Sequence, residues 1–409
     1  VRDWIEKRGV YDGRYQSISY GDYAQDHATF DKQTTAAGHS VRANLWYSAI
    51  AAAGNYLDDR EYISAANTIW NDIVGKQMYI TGGTGSVHAS ESYGGDYYLP
   101  HDGYCETCAS VGMAFFAGNM SELFGQAEYA DVLETQLYNG ILGCLGMDGC
   151  SFYYQNPLTS DAYQRPYWSG ATPCCPPMYM KIFANLVSYI YMSNGDSVIV
   201  DQYISSTADL TLDIGPVEII QYSNLPDGNR AALEVTANGA FTLRLRMPSW
   251  ASSASVTVGG VAVSVSPDAD GYLSIERVWN GKTQVEVTFG KEVIRVYQDE
   301  AAANRNQVAL QYGPFIYCAE TDDNLFEGED LLESVVIIPE TARVSVSYEP
   351  DLFALELNEG QIARGANVLR VQASVDGEER TLTMIPFYLR ANRSHRRMDV
   401  WFWESTSVR

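Results

Sequence analysis

The stretch MYMKIFANLVSYIYM, from Met178 to Met192, is the last part of the sequence in which apolar residues follow the spacing of a helix. Further on, ADLTLDI, from Ala208 to Ile214, alternates apolar and polar residues as a half-buried strand does. The period changes near residue 195, so the sequence predicts a multidomain chain of helices followed by strands. Because apolar residues lie nearly all round the helix of residues 178–192, we expect it to be buried on most sides.

Four further helices are predicted ahead of this stretch. They span Thr35 to Gly54, Arg60 to Met78, Thr107 to Gly125, and Ala127 to about Leu145. Short polar or glycine-bearing joints separate some of them, which favours antiparallel pairs of neighbouring helices. A closed ring of such pairs hides its apolar edges, whereas an arc of about five helices exposes one. We expect that edge to be covered by helices ahead of Val1, with another chain in a homo-oligomer as the alternative.

The second half of the sequence has the alternation and turn signals of β-sheet domains. Asn238-Gly239 and Asn280-Gly281 predict type I′ hairpin turns, because both central positions of that turn need positive φ. We predict one antiparallel β-sandwich over residues 198–292 and another over residues 293–409, behind a helical domain of residues 1–197.

The composition limits the partners of the protein. The 409 residues include 51 acidic and 27 basic side chains, which gives a formal net charge of −24. Such a chain repels nucleic acids and anionic lipid heads, so we expect neither a nucleic acid nor a membrane as a partner. No window holds the run of about 18 apolar residues that a membrane span requires. The 29 tyrosines are typical of sugar-binding clefts and, somewhat more often, of plain β-rich surfaces.

Seven cysteines are present, and four of them form two doublets. Cys105 and Cys108 lie at the start of a predicted helix, and Cys174 and Cys175 lie just ahead of another. Two doublets far apart in sequence are typical of zinc sites, to which Glu106 could add an oxygen ligand. A redox C-x-x-C motif is the weaker alternative, because the βαβ context is lacking. The remaining thiols are expected to be buried without a function: Cys144, Cys150 and Cys318.

The long segment from Tyr79 to Tyr104, between two predicted helices, is a candidate active-site loop. It carries carboxylates, histidines and tyrosines, namely Glu91, Asp96, Asp102, His88, His101, Tyr93, Tyr97 and Tyr98. Acidic groups among aromatic rings are what glycoside hydrolysis uses, although each carboxylate, taken singly, is more often a solvated loop residue. His39, on a predicted helix, is either a core histidine or a contact in the same cavity.

Several motifs of this sequence resemble those of glycoside hydrolase family 127, the zinc-dependent β-L-arabinofuranosidases. They are AGHSVRA (Ala37 to Ala43), QMYITGGTGS (Gln77 to Ser86), ESYGGDYYLPHDGYCETCAS (Glu91 to Ser110), FYYQNPL (Phe152 to Leu158), CCPP (Cys174 to Pro177), RMPSW (Arg246 to Trp250) and QYGPFIYC (Gln311 to Cys318). The resemblance spans nearly the whole chain and implies the fold of that family, an (α/α)6 barrel followed by β-sandwiches. Family members carry a long portion ahead of the AGHSVRA-like helix, whereas about 38 residues precede it here, so the resemblance implies that half of the barrel is missing from this sequence.

The resemblance also implies roles for individual residues. The zinc ligands would be Glu106, Cys108, Cys174 and Cys175, and the sugar contacts would be His39 and Tyr154. Cys174 would be the nucleophile and Glu91 the general acid/base, although the spacing from Glu91 to Glu106 is one residue shorter than in the family pattern. With Zn²⁺ keeping Cys174 a thiolate, the reaction would pass through a glycosyl-cysteine intermediate with net retention.

The first functional hypothesis is therefore a retaining, exo-acting glycoside hydrolase that releases β-L-arabinofuranose, or a related sugar, from the non-reducing ends of an oligosaccharide or glycan. The second is a non-catalytic carbohydrate-binding or scaffold protein with a structural zinc ion. A third is a pectin-directed hydrolase of a sister family with the same metal site. Zinc-bound thiolates favour a reducing compartment such as the cytoplasm, whereas a plant polysaccharide substrate would favour secretion or the periplasm, so the localisation stays open.

Overall fold

Helices occupy the first part of the chain and strands the second, as the sequence predicts. The computed structural model of the chain describes residues 21–162, 174–302, 306–357 and 360–404. The α-helices within these ranges are α1 (Ser40–Leu57), α2 (Arg60–Asp72), α3 (Thr107–Phe124), α4 (Ala127–Thr135) and α5 (Cys175–Ala184). The π-helical turns Ile73–Gln77 and Gln136–Ile141 extend α2 and α4. Short 3-10 turns span Gly21–Ala24, Phe30–Lys32, Leu142–Cys144, Leu186–Tyr189, Thr321–Asp323, Leu331–Glu333 and Phe387–Leu389. None of the described helices has the length and apolar character needed to cross a membrane.

Polar side chains and a glycine set the ends of the first helices. α1 begins after His39, whose Nδ1 accepts a backbone N–H of the first turn at 3.4 Å. α2 begins after Asp59, whose carboxylate accepts two N–H groups of its first turn at 3.1 and 3.3 Å. α3 ends at Gly125, which adopts the left-handed conformation with a φ of +61°. These caps place the helix ends within a few residues of the predicted ones.

The helix predicted over residues 178–192 is wrong in its bounds and in its burial. α5 starts earlier, because Pro176 and Pro177 are tolerated in the first turn of a helix, and it ends after ten residues. Met180 and Val187 are 53% and 73% exposed, so much of this apolar segment does not pack on the described part of the chain. An exposed apolar edge is what the sequence predicts for an arc of helices.

An aromatic core holds the first four helices together. The ring of Trp70 in α2 lies 5.4 Å from the ring of Phe116 in α3 and 4.9 Å from the ring of Tyr129 in α4. Tyr47 in α1 meets the same Phe116 at 6.1 Å, and all four side chains are buried. Tilted and edge-to-face pairs of this kind stabilise a core beyond the apolar area they bury. α3 therefore lies at the centre of the helical region.

The strands follow in two large groups and one small pair. They are β1 (Thr159–Ser160), β2 (Tyr191–Asn194), β3 (Ser197–Val200), β4 (Ser206–Leu212), β5 (Gly215–Ser223), β6 (Arg230–Arg246), β7 (Ala251–Val258), β8 (Val261–Val263), β9 (Tyr272–Lys291), β10 (Val293–Tyr297), β11 (Gln307–Tyr312), β12 (Phe315–Glu320), β13 (Leu325–Phe326), β14 (Glu329–Asp330), β15 (Val336–Ile337), β16 (Val344–Leu357), β17 (Gly360–Val375), β18 (Glu378–Pro386), β19 (Met398–Asp399) and β20 (Phe402–Trp403).

Two large sheets are built from these strands. The first has the order β2-β3-β6-β9-β7-β8, with β5 on β6 and β4 on β5. The second has the order β1-β19-β12-β18-β17-β15-β20-β11-β10, with β16 on β17, and a further pairing of β11 with β12 links two of its distant members. Most pairings are antiparallel as predicted, but the β3–β6 and β15–β20 pairs are parallel. The sandwich arrangement itself stays a prediction.

The prediction of hairpin turns at the two Asn-Gly dipeptides is wrong. Asn238 in β6 lies opposite Asn280 in β9, within one continuous antiparallel ladder of the two longest strands in the first sheet. Gly239 and Gly281 have φ values of +135° and +69°, and the N–H of Gly281 donates to Oδ1 of Asn238 at 3.2 Å. The dipeptides therefore supply positive φ inside long strands, where cross-strand pairing overrides the local turn preference.

A buried ion-pair network, here called the arginine cluster, joins α4 to the first sheet. It consists of Arg246, Asp131, Glu134 and Trp250. Arg246 is fully buried and pairs with Asp131 and, at 2.6 Å, with Oε1 of Glu134. The indole N–H of Trp250 donates to Oε2 of Glu134 at 2.8 Å. These contacts fix the helical region against the strands that follow it.

Candidate active site and metal centre

Three thiols and one carboxylate, here called the thiol cluster, come together at the starts of α3 and α5. The cluster consists of Glu106, Cys108, Cys174 and Cys175, whose ligand atoms all lie within 4.8 Å of one another. Oε1 of Glu106 is 3.3 Å from Sγ of Cys174 and 3.5 Å from Sγ of Cys175. The sulfurs of Cys108 and Cys175 are 3.4 Å apart. The two doublets identified in the sequence are thus neighbours in space, although 67 residues separate Cys108 from Cys175.

Helix starts present all four side chains. Glu106 is the residue before α3 and Cys108 lies in its first turn, while Cys174 precedes α5 and Cys175 is its first residue. Side chains at the N-terminus of a helix feel its partial positive charge, which favours thiolates and carboxylates there. Each pair of neighbouring ligand candidates, Glu106 with Cys108 and Cys174 with Cys175, is therefore brought into the cluster by one helix start.

Burial divides the cluster into three enclosed groups and an open one. Glu106, Cys108 and Cys175 are at most 2% exposed, whereas Cys174 is exposed. Burial raises the pKa of Glu106 to about 8, with the neighbouring Cys174 sulfur as the second cause. The thiol pKa of Cys174 is lowered to about 2 because the Cys108 and Cys175 thiols hydrogen-bond to its sulfur, and the pKa values of those two thiols are raised. Cys174 is thus the thiolate of the set and the member that is open to solvent.

The donor set fits a metal ion. Zinc takes four ligands in a tetrahedron, and a Zn–S bond of about 2.3 Å places two sulfurs about 3.8 Å apart, close to the spacing found here. A divalent cation among these groups would also reverse the effect of burial on Glu106, because it stabilises the charged forms of its ligands. Cys105 is not part of the cluster, so the C-x-x-C motif contributes only one of its two sulfurs. This geometry favours a metal site over a redox pair.

A second group of acid and base side chains adjoins the thiol cluster through Glu106. The ligand atoms of His39, Glu91 and Glu106 lie within 4.8 Å of one another. Nε2 of His39 is 2.9 Å from Oε2 of Glu91, and the hydroxyl of Tyr104 donates to Oε1 of Glu91 at 3.1 Å. Because Nδ1 of His39 accepts a backbone N–H, the proton of the neutral ring sits on Nε2 and is donated to Glu91. Both oxygens of Glu91 are therefore held by donors.

The backbone of Glu91 is held as firmly as its carboxylate. Its φ of +53° lies in the left-handed region, which costs a non-glycine residue about 1 kcal/mol or more. The carbonyl of Glu91 accepts two hydrogen bonds at 2.9 Å, one from the N–H and one from the hydroxyl of Ser40, at the start of α1. Ser40 therefore stabilises the conformation that aims the Glu91 side chain.

Tyr154 contacts the thiol cluster at Cys174. Its hydroxyl accepts the backbone N–H of Cys174 at 2.7 Å. The structure thus brings together all seven residues for which the resemblance implies a role: His39, Glu91, Glu106, Cys108, Tyr154, Cys174 and Cys175.

Three family models match consecutive parts of the chain. The model described as "Beta-L-arabinofuranosidase, GH127 catalytic domain" matches residues 2–188, and the middle-domain model of the same enzymes matches residues 197–290. The model "Glycoside hydrolase family 127 C-terminal domain" matches residues 294–403. The chain belongs to glycoside hydrolase family 127.

Other members of the family are similar to this chain in sequence and in fold. A "Non-reducing end beta-L-arabinofuranosidase" from Bifidobacterium longum subsp. longum is 33% identical over 406 residues, which cover 90% of this chain and 60% of that protein. The crystal structure of a β-L-arabinofuranosidase of the family from Geobacillus stearothermophilus T6 superposes with a TM-score of 0.88 at 32% identity, over 99% of this chain and 68% of that one. A second family 127 β-arabinofuranosidase structure gives the same TM-score and identity over 99% of this chain and 65% of that one. The chain thus spans about three fifths of the length of the curated relative.

Most of the other polar residues that the sequence singled out in the 79–104 loop have structural contacts in this family 127 chain. Asp96 forms an ion pair with Lys76 at 2.8 Å, and the hydroxyl of Tyr93 donates to Asn44 at 2.5 Å. His101 stacks on Trp401 with the ring centroids 5.9 Å apart. Among these described loop residues, Glu91 is the carboxylate that reaches the site.

Sequence reasoning missed some contacts of the site and misjudged one thiol. Tyr104 and Ser40 hold Glu91, yet neither stood out in the sequence, since a tyrosine at the end of the loop and a serine at a helix start carry no chemical signal of their own. Cys144 and Cys318 are buried as expected, but Cys150 is exposed, because it lies in a turn whose backbone is held by Asp148.

Proposed function

We propose that this chain carries the reaction centre of a retaining, zinc-dependent glycoside hydrolase that releases β-L-arabinofuranose, or a related sugar, from the non-reducing ends of glycans. The proposal rests on one observation. Cys174 is the exposed member of a cluster of three thiols and a carboxylate, and this cluster adjoins the His39–Glu91 pair. The β-L-arabinofuranosidase activity named for two relatives supports the choice of sugar.

In the proposed reaction Cys174 is the nucleophile and Glu91 the general acid and base. The Cys174 thiolate attacks the anomeric carbon, the C–S bond forms as the glycosidic C–O bond breaks, and the Glu91 carboxyl gives its proton to the departing oxygen. Water then attacks the same carbon and gives a proton to Glu91, while the C–S bond breaks and the thiolate is restored. Two inversions at one carbon give net retention.

The neighbouring residues bind and orient the reacting groups. Zinc, when held by Glu106, Cys108, Cys174 and Cys175, would keep the three sulfurs as thiolates at neutral pH. His39 and Tyr104 fix the two oxygens of Glu91, which sets the direction of proton transfer. Tyr154 accepts the backbone N–H of Cys174 and would contact a sugar bound at that sulfur.

We propose the domain organisation that accompanies this function: part of an (α/α)6 barrel over residues 1–197 and β-sandwich domains over residues 198–292 and 293–409. The support is the change from helices to strands near residue 191 and the separation of the strands into two large sheets. The proposed reaction centre lies in the helical part, and the substrate is an oligosaccharide or glycan.

Turnover and metal content of matched cysteine variants test the proposal. We expect about one zinc per chain and hydrolysis of an aryl β-L-arabinofuranoside, with the β-anomer as first product by NMR. Cys174→Ser should lower kcat by on the order of 10⁶-fold, as loss of the nucleophile does in a serine protease. Cys150→Ala removes the other exposed thiol and should leave kcat and zinc content unchanged.

Two results would contradict the proposal. Full activity of Cys174→Ser would exclude the nucleophile, and a product of inverted configuration would exclude the two-step reaction. Binding of the sugar with zinc present but without turnover, and without any effect of Glu91→Gln, would instead establish the non-catalytic carbohydrate-binding alternative.

A further inference from the structure

An arginine of the last strand region contacts an asparagine that lies between α4 and α5 in the sequence. Arg390 follows the 3-10 turn after β18 and is only 2% exposed. Its guanidinium lies over the rings of Phe387, at 3.9 Å, and Tyr153, at 4.8 Å. One of its nitrogens donates to Oδ1 of Asn156 at 2.5 Å. A second nitrogen donates to the carbonyl of Phe387 at 3.1 Å, so the buried guanidinium is fixed on one side and orients the Asn156 amide on the other.

The amide of Asn156, which Arg390 orients, in turn bonds to the chain around the proposed metal ligands. Its Nδ2 group donates to the carbonyl of Cys105 at 3.0 Å, to Oγ1 of Thr107 at 2.9 Å and to the carbonyl of Tyr154 at 3.3 Å. Because arginine can only donate, Oδ1 must face Arg390 and the NH₂ group must face these acceptors. The amide therefore contacts both neighbours of Glu106 and the backbone of Tyr154.

The segment that Asn156 holds does not adopt a relaxed conformation. Cys105, directly before the ligand Glu106, has a φ of +44°, and such a conformation persists only where the surroundings hold it. On the other side, the N–H of Thr107 donates to the carbonyl of Tyr154 at 2.8 Å. Releasing Asn156 would let the Glu106 backbone relax and would move Tyr154, which contacts the N–H of Cys174.

We propose that Asn156 and Arg390 are positioning residues of the metal centre, so that the last strand region sets the geometry of a site whose ligands all lie in the helical region. This inference rests on the proposed function, because it takes the thiol cluster to be the zinc site. Residues behind the ligands of a metal commonly change its affinity about 10- to 100-fold when they are removed.

Asn139 provides a matched control for a purely structural role. It is also a fully buried asparagine of the helical region that bonds to the second sheet region, with Nδ2 donating to the carbonyl of Pro314 at 2.9 Å and Oδ1 accepting the N–H of Ile316 at 2.8 Å. None of these contacts involves a residue of the thiol cluster. Loss of Asn139 should therefore weaken the fold to a similar degree without acting on the metal.

The test compares zinc affinity and thermal unfolding in Asn156→Ala, Arg390→Lys and Asn139→Ala, all in the full chain. Zn²⁺ affinity is measured by competition with a chromophoric chelator at one pH, and Co²⁺ replaces zinc to read the thiolate-to-cobalt absorption. We expect about 10- to 100-fold weaker zinc binding and a shifted cobalt band in Asn156→Ala. Arg390→Lys should show a smaller effect in the same direction, since lysine keeps a donor but not the planar guanidinium. Asn139→Ala should bind both metals like the wild type at a lowered melting temperature.

Equal zinc affinity and equal cobalt spectra in Asn156→Ala and Asn139→Ala would overturn the inference while leaving the proposed function intact. If Asn156→Ala does not fold, the same comparison is made between Arg390→Lys and Asn139→Ala. A zinc affinity of Arg390→Lys equal to that of the wild type would then overturn the positioning role, because Arg390 acts on the metal centre through Asn156. A wild-type chain that binds no zinc through its cysteines would overturn the proposed function itself, and the positioning role with it.

Discussion

The arginine cluster and the thiol cluster are both buried groups of ionisable side chains, but they balance their charge in opposite ways. In the arginine cluster, Arg246 meets the carboxylates of Asp131 and Glu134, so the protein supplies both signs of charge. In the thiol cluster every member is an acid, and no lysine or arginine of the described ranges is among the partners of Glu106. The arginine cluster contains a cation for its carboxylates, whereas the thiol cluster can ionise at all four members only when a cation is added.

The two clusters also differ in their exposure to solvent. Arg246 is fully enclosed, so nothing from solution can react with it. Cys174 is exposed although its three companions are buried, so one sulfur of an otherwise closed group is open to solvent. A buried cluster that lacks a cation and is open at one member is suited to catalysis, whereas a cluster that contains its own cation is suited to holding elements together.

The largest expected effect comes from removing a ligand of the thiol cluster. Cys175→Ala should reduce the zinc content from about one per chain to nearly none, because one of four ligands of a tetrahedral ion is lost. Elemental analysis after dialysis against a weak chelator measures this. Cys144→Ala is the control, since it removes another buried thiol, bonded to the carbonyl of Tyr153 outside the cluster, and should keep its zinc. Equal zinc in both variants would end the distinction between the two clusters.

The second largest expected effect is a loss of stability when the cation of the arginine cluster is removed. Arg246→Met leaves the carboxylates of Asp131 and Glu134 without their cation, which we expect to lower the free energy of unfolding by about 3 to 5 kcal/mol. Urea unfolding at saturating zinc measures the loss. In the control Arg230→Met the broken ion pair with Glu286 lies at the surface, so the midpoint should hardly move. A large drop in zinc affinity of Arg246→Met would show that the two clusters are not independent.

The features of this molecule that could be predicted from the sequence are those that depend on residues close together in the chain. Glu106 with Cys108, and Cys174 with Cys175, enter the site at two helix starts, so their short spacing already predicted that they lie together. Cys105 is the exception, because its spacing suggested a ligand and the structure leaves it outside the cluster. The contacts of Arg246 and Arg390 could not be predicted, because they join residues 112 and 234 positions apart and depend on how strands pack on helices. Asn238-Gly239 is an error of the opposite kind. The dipeptide is a strong local signal for a turn, but it lies within the long antiparallel ladder between β6 and β9.

A smaller effect should appear as a pH dependence that only the thiol cluster shows. Burial raises the pKa of Glu106 to about 8 in the metal-free protein, so below pH 8 this carboxyl holds a proton that zinc must displace. Zinc affinity should therefore fall as the pH falls from 8 to 6, by about tenfold per pH unit for each proton released. Chelator competition across this range measures the slope. Zinc also displaces protons from the Cys108 and Cys175 thiols, whose pKa values are raised, so part of the slope does not depend on Glu106. Glu106→Gln should lose the share of the slope that belongs to Glu106, and an unchanged slope in this variant would mean that Glu106 is not a ligand.

The smallest expected effect contrasts two serines of α1. The hydroxyl of Ser40 donates to the carbonyl of Glu91 at 2.9 Å, whereas the hydroxyl of Ser48, two turns further along, accepts from Nδ2 of Asn119 at 2.8 Å. Each alanine variant loses one buried hydrogen bond, worth about 1 kcal/mol, and should unfold at a similarly lowered temperature. Only Ser40→Ala should also lower kcat, by about fivefold, because the left-handed backbone of Glu91 then keeps one of its two anchors. If kcat falls equally in Ser48→Ala, the loss belongs to the helix as a whole and the aim of Glu91 does not depend on Ser40.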